Sequence, residues 1–271
     1  MKLIIAFLFL FAGSPSYSQH LTIVSWNIEN IGKSKSDSTI GVIAHTIRGA
    51  DIACIMEVVA GPGGAQAIAR LAEALSQTGT QWDYRISDPT ISSSYKTERY
   101  AFVWKKHRVK LVGNAWLEQQ YSQLIDREPY YATFNFAGKE FTLAAFHAIT
   151  KSKQPETEIK YFKFLPAQYP NLNLIFCGDF NCPQTHTVFN PLKKMGYAPV
   201  LTHQKTSLRQ QCINDDCLAS ELDNIFYDTS KVKLLNAGVW KFYESMESLQ
   251  DARRVSDHVP VFMKFELIYD L

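Results

Sequence analysis

Six times along this chain an apolar run ends in, or leads from, a side chain able to ligate a metal, carry a proton or grip a phosphate. The run Ile23–Asn27 ends in an amide, Ile52–Glu57 in a carboxylate and Leu143–His147 in an imidazole. Leu174–Asp179 ends in a carboxylate, with Asn181 two residues on. Asp223 opens the run ending at Tyr227, and Asp257 with His258 stands directly before Val259–Phe262. Singly, each has a structural explanation: an Asn caps a turn, a Glu is a surface charge, a His is satisfied in a core. Together they describe polar groups gathered at strand ends, where a rigid scaffold positions a binding site.

Oxygen ligands and histidines without paired cysteines suit a hard divalent cation, magnesium or manganese, rather than zinc. The chemistry is hydrolysis of a phosphoester. Glu57 and Asp257 carry the ion with Asn27 beside them, while the amides of Asn27 and Asn181 donate to the remaining phosphate oxygens. His147 and His258 supply general base and general acid, because an imidazole titrates near neutrality. Glu98 and Asp223 are available to fix the tautomer of each ring from its far nitrogen.

The elements that must position these groups are short. Strands are expected at 21–27, 51–57, 100–104, 130–136, 141–147, 173–179, 222–227 and 259–267, and helices at 39–47, 65–75, 155–168 and 187–195. Several strands adjoin with no helix between them, which calls for an α/β domain of two packed sheets with helices outside. The polar stretches 86–95 and 204–220 are expected to be surface loops.

Composition excludes much else. The chain has 271 residues, 46% hydrophobic and 20% charged, with a formal net charge of +2, so it is neither disordered nor globally basic. Any grip on a polyanion must be local, and between residues 95 and 110 six basic side chains, Arg99 among them, accompany the single acid Glu98 and the rings of Tyr95 and Tyr100. Residues 1–18 have a basic start, an apolar stretch and small residues before Gln19, the pattern of a cleaved export signal, leaving 19–271 as one domain. The expected protein is secreted, whether extracellular or periplasmic, without stable membrane association. Of five cysteines, Cys54 and Cys177 lie in strand-like runs as inert core thiols. A Cys212–Cys217 disulfide is the first expectation, with Cys182 bonded to one of them as the alternative.

The segments Ser25–Asn27, Glu57, Gly178-Asp179-Phe180-Asn181, Leu222–Ile225 and Ser256-Asp257-His258-Val259-Pro260-Val261 resemble the endonuclease/exonuclease/phosphatase superfamily, in order from about residue 21 to 267. That resemblance implies a four-layer αββα sandwich of two mixed β-sheets. Within it, Ser94–Tyr100, Asp126–Pro129 and Phe146–Ala148 are similar to the deoxyribonuclease I family. The resemblance implies that Glu98 pairs with His147 and Asp223 with His258, that Glu57 is a metal ligand, that Asn27, Asp179, Asn181 and Asp257 surround the scissile phosphate, and that Arg127 contacts DNA phosphate; the local basic stretch adds Tyr95, Arg99 and Tyr100 as expected DNA contacts. It also implies calcium as a structural ion. Val59 stands where the family has a minor-groove arginine, Met56 where it has a glutamine, and Ser220 is a loose counterpart of its phosphate-contacting threonine. The expected activity is metal-dependent cutting of DNA with little sequence specificity by a monomer. The alternative is a phospholipid headgroup or small phosphomonoester as substrate. A non-catalytic binding domain would lack one of Glu57, His147, Asp179 or His258, and all are present.

Overall fold

The structure, a computed structural model, describes residues 20–92 and 97–269. The expected export signal, Tyr95 and Lys96 lie outside the described residues. The first half of the fold runs β1 (Leu21–Ile31), α1 (Asp37–Ile47), β2 (Ile52–Val59), α2 (Pro62–Ser76), β3 (Trp82–Ile86) and β4 (Glu98–Lys105). Then come β5 (Lys110–Leu117), β6 (Tyr130–Phe136), β7 (Lys139–His147), α3 (Glu156–Ile159), α4 (Leu165–Gln168), β8 (Leu174–Asp179), α5 (Asn190–Lys194) and β9 (Tyr197–Pro199). The chain finishes with β10 (Leu208–Ile213), β11 (Asp216–Leu218), β12 (Asp223–Asp228), β13 (Val232–Val239), α6 (Leu249–Val255) and β14 (Val261–Leu267).

Two six-stranded sheets form, ordered β13-β14-β1-β2-β4-β3 and β5-β6-β7-β8-β12-β9. Each has one parallel pair at its centre, β1 with β2 and β7 with β8, flanked by antiparallel neighbours. A parallel pair needs a crossover connection, supplied by α1 in the first sheet and by the α3–α4 segment in the second. Ile23, Cys54, Phe102, Leu143, Ile175 and Met263 fill the space between the sheets. Val24, Trp26 and Ile55 pack outward against Ile43, Ile68 and Leu71 of α1 and α2. Phe146 and Phe176 pack outward against Ile159, Phe162 and Leu165. The central strands are thus covered on both faces, which explains why they read as unbroken apolar runs and not as alternations.

The αββα architecture expected from the sequence is present, with local differences. The expected helix over 155–168 is divided into α3, a 3₁₀ turn at 162–164 and α4, because Pro166 withholds the N–H a continuous helix requires. Pro191 divides 187–195 in the same way. The stretch 204–220 is no plain loop: it contains the β10–β11 ribbon, closed by a Cys212–Cys217 disulfide, while Cys54, Cys177 and Cys182 are free and buried. Among the described residues no helix is long and apolar enough to cross a membrane.

One glycine sets the spacing of the central strands of the second sheet. A Cβ on Gly178 would lie 1.8 Å from the Phe146 carbonyl oxygen, a backbone atom that cannot swing aside. Gly178→Ala must therefore push β7 from β8. An overpacking cost of about 3 kcal/mol corresponds to a fall in Tm of roughly 6–12 °C, readable by calorimetry; an unchanged Tm would refute this close approach.

Candidate active site

Backbone pairing brings the polar residues together before any side chain is considered. In the parallel ladder His147 lies opposite Asp179, and in the next, antiparallel, ladder Asp179 lies opposite Asp223. Three adjacent strands therefore present an imidazole and two carboxylates in one row. The first sheet brings Asn27 on β1, Glu57 on β2, Glu98 at the start of β4, and Asp257 and His258 just before β14.

The pairs that form cross from one sheet to the other. His147 Nδ1 is 3.0 and 3.1 Å from the two Glu98 oxygens, and His258 Nδ1 is 2.7 Å from Asp223 Oδ2. With Nδ1 so occupied, each ring turns Nε2 toward a shared carboxylate: Asp179 Oδ2 is 3.5 Å from His147 Nε2 and 3.7 Å from His258 Nε2. Asp179 also accepts from the Asn181 backbone N–H at 2.9 Å and from Asn27 Nδ2 at 3.2 Å.

The electrostatics follow. Burial alone would push an imidazole pKa down, but Asp223 and Asp179 overcome it and hold His258 well above its ordinary value. At His147 burial is again opposed, chiefly by Glu98, and the net shift is upward although the Arg127 cation works against it. Burial would raise Asp179, but the two facing imidazoles, His258 and then His147, hold its carboxyl below the usual carboxylate range. Burial pushes Asp223 up, His258 pulls it back and Asp179 raises it again, to about 6. The Asp223–His258 pair therefore works as one proton-holding unit.

Asp179, Asp223 and His258 place ligand atoms within 4.8 Å of one another. Asp223 Oδ2 and His258 Nδ1 are committed to each other, however, so this trio is better understood as a relay. The oxygens expected to meet an ion lie alongside. Asn27 Oδ1 is buried with no hydrogen-bond partner, while Asn27 Nδ2 donates to Glu57 Oε1 at 3.0 Å. An orphaned acceptor beside a carboxylate fits a hard divalent cation. Glu57 is placed there by strain: it sits in the left-handed region at φ 58°, where the β2–β4 register shifts by a bulge. Such bulges re-aim a side chain, and a strained backbone at a functional site is held by its surroundings. Asp257 is a third of the way exposed, 3.9 Å from both His258 Nε2 and Arg253 Nη2.

The side chains expected on DNA fare differently. Tyr100 is fully buried; its hydroxyl accepts from the His147 N–H and donates to the Arg127 carbonyl. It lies along no DNA groove, because its ring packs between the sheets. Arg127 is likewise turned inward. Its guanidinium donates to the carbonyls of His147 and Ala148 and, at 3.3 Å, to Glu98 Oε2. That fork is consumed in holding the His147–Glu98 pair, so the expected phosphate contact is replaced by a positioning role. Arg99 donates to the carbonyls of Ala60 and Ser87. The basic turn 105–110 is at the wrong end of the molecule: β4 starts at the site with Glu98 and carries the chain about 23 Å before Lys105. There Arg108 is paired with Asp51 at 3.0 Å.

Sequence reading missed Thr206. It is fully buried, its hydroxyl donates to Asp223 Oδ2 at 2.7 Å, and Thr206 Oγ1 accepts from the backbone N–H groups of Leu222 and Asp223. Its carbonyl accepts from Val259 N–H, tying it to the segment that carries His258. A threonine seventeen residues before Asp223, in a polar stretch, has no local signal. Ser256 is equally quiet: its hydroxyl donates to the Asn27 carbonyl at 2.6 Å and accepts from His258 N–H at 2.9 Å.

Residues 24–258 match the model of the endonuclease/exonuclease/phosphatase family. The chain belongs to that family. It is a hydrolase of phosphoester bonds. A deoxyribonuclease of Thioalkalivibrio sp. (strain K90mix) is 28% identical over 269 residues, covering 91% of this chain and 71% of that one. A humanized D. rerio TDP2 superposes with a TM-score of 0.67 at 18% identity, over 92% of this chain and 100% of that one. The Bacteroides thetaiotaomicron VPI-5482 mannosyl-6-phosphatase Bt3783 does so at 0.64 and 21%, over 92% and 100%. Both structures share the family fold.

Two substitutions test the inward-facing residues. Arg127→Met removes the fork and should lower kcat about 10- to 100-fold on a small phosphodiester as well as on DNA. A defect confined to KM for DNA would restore the phosphate contact. Thr206→Val should lower kcat about tenfold with KM little changed, and Thr206→Ser should recover it. Equal losses in both variants, or a loss in KM alone, would show that the hydroxyl does not position Asp223.

Proposed function

We propose that this protein is an exported, divalent-metal-dependent endonuclease that hydrolyses DNA phosphodiester bonds with low sequence specificity. The observation that carries the reading is the double relay: two imidazoles, each with a carboxylate on Nδ1, turn their Nε2 atoms to one side of Asp179. A phosphodiester needs both a base for the attacking water and an acid for the departing sugar oxygen, and this arrangement supplies both within one cleft. The deoxyribonuclease relative supports DNA as the substrate. The segment 1–18 and the Cys212–Cys217 disulfide support an oxidising, exported setting.

Glu57 and Asn27, with Asp257 nearby, would hold the ion; when bound, magnesium or manganese neutralises charge on a non-bridging phosphate oxygen. This chain's own residues do the rest. One imidazole takes a proton from water at Nε2 as the water oxygen bonds to phosphorus. The other imidazole gives its Nε2 proton to the sugar oxygen as the phosphorus–oxygen bond to it breaks. Glu98 and Asp223 keep both rings in the tautomer that leaves Nε2 reactive, and each stabilises the charged form. Asn181 lies at the edge of the phosphate position, its side chain donating to Ala148 O at 3.0 Å. Calcium is expected in a structural role, and a monomer contains every residue named.

Supercoiled plasmid provides the test. With magnesium, with and without calcium, the wild-type protein should nick it, and chelator should abolish nicking. His147→Ala and His258→Ala should each lower turnover by about 10²- to 10⁴-fold with folding intact. Intact plasmid alongside turnover of a sugar phosphate or phospholipid would replace DNA as the substrate.

A further inference from the structure

On the outer flank of the second sheet, two connections that both leave strands at the active-site end lie together. The β5–β6 connection carries Tyr121 and Leu124, and the β7–β8 crossover carries Tyr161 and Phe164. Their rings form an array. Tyr121 stacks with Tyr161 at a centroid distance of 5.4 Å and an interplanar angle of 29°, and with Phe164 at 6.1 Å and 20°. Lys160 Nζ stands 5.1 Å over Tyr161, and Lys163 Nζ 4.8 Å over Phe164. Phe164 is 44% exposed and Leu124 51%. Among the described residues neither Lys160 nor Lys163 is in an ion pair, so both charges are left to meet an anion at the surface.

The array is fastened to the site. Buried Glu158 accepts from Asp126 N–H at 2.5 Å with one oxygen and from Ile149 N–H at 2.9 Å with the other. That carboxylate joins the two connections to each other and to the strand that has just delivered His147. Lys151, four residues beyond His147, is exposed, and exposed Lys160 and Lys163 stand beside the rings.

We infer that this flank binds an unpaired DNA strand running from the phosphoester site, its bases stacking on Phe164 and Tyr161 and its phosphates meeting Lys151, Lys160 and Lys163. The inference rests on DNA being the substrate, as proposed above. Tyr121 covers one face of each ring and a lysine stands over the ring, so a base docks by displacing that ammonium on its flexible stem and lying on a ring already ordered; every base has such a face, so the contact tolerates any sequence. Lysines along the same line release counterions from the backbone. A duplex keeps its base faces covered, so the flank selects single strands or frayed ends. A membrane surface fits less well, since the rings lie mutually stacked in an array and do not project as an insertion wedge, and Glu158 ties the array to the strand that ends in His147.

Binding of a fluorescent oligothymidine and of a matched duplex can be read by anisotropy in a full-length His258→Ala background, which holds DNA without cutting it. Phe164→Ala should weaken oligothymidine binding about tenfold and leave duplex binding unchanged. Lys160→Ala with Lys163→Ala should reduce the slope of log Kd against log salt by about 1.4, the value for two single-strand phosphate contacts. Unaltered oligothymidine binding in these variants, or an equal loss on duplex, overturns the inference. So does lost binding to phosphatidylserine vesicles with oligothymidine binding intact, which would make the flank a membrane surface. A plasmid-nicking protein whose flank variants bind normally refutes the flank alone. Failure of the wild-type protein to bind or nick any DNA refutes the substrate as well.

Discussion

Every feature of the site depends on two hydrogen bonds that cross the sandwich. Each joins an imidazole on one sheet to a carboxylate on the other, His147 to Glu98 and Asp223 to His258. Neither sheet alone holds a complete pair. The packed interior between the sheets therefore does more than stabilise the fold. Its close fit sets how far apart the two halves of each pair stand, and interiors packed to near-crystalline density tolerate little drift. Burial of these groups would neutralise them if they were unpaired. The partner carboxylates reverse that tendency and keep both rings ready to carry a proton.

Around the pairs runs a second set of contacts that locks the main chain. Trp26 Nε1 donates to the His258 carbonyl and Ser256 bridges His258 N–H to Asn27 O, so β1 and the segment before β14 share one register. On the other side Tyr100 and Arg127 hold both the N–H and the carbonyl of His147. The two relays differ in how they are steadied. A guanidinium braces Glu98, whereas a neutral hydroxyl, Thr206, braces Asp223. That contrast agrees with the larger upward shift at His258, whose surroundings contain several carboxylates and lack a contacting cation.

A fold by itself does not select a substrate, so substrate choice depends on the surfaces around the relay. Here Val59 is exposed where the deoxyribonuclease I family has a groove-reading arginine, and Arg127 is drawn inward. With DNA as the proposed substrate, those losses leave its grip to other surfaces. The aromatic and lysine-bearing flank offers one that is tied by Glu158 to the strand ending in His147.

Much of this was legible in the residues themselves. Central strands covered on both faces must be apolar throughout, so their runs and the polar groups ending them stand out, and the histidines, the amides and Asp223 were found that way, whereas Glu98 was assigned through the family resemblance. The Cys212–Cys217 pairing was also local, five residues apart at the tip of a ribbon. The misreadings share a cause. A tyrosine beside a basic stretch reads as exposed, and Arg127 was placed on DNA by the family resemblance; only the packing of the second sheet against the first turned both inward. The charges at 105–110 looked close to the site in sequence, but an extended strand carries the chain away from Glu98 as quickly as a polypeptide can travel. Thr206 had no signature because its partner is distant in the chain and its segment is polar. Sequence by itself determined the chemistry available and the strands that carry it. Which side chains face the phosphate and which brace those that do was decided by the tertiary structure, because orientation and burial arise when the two sheets close on each other.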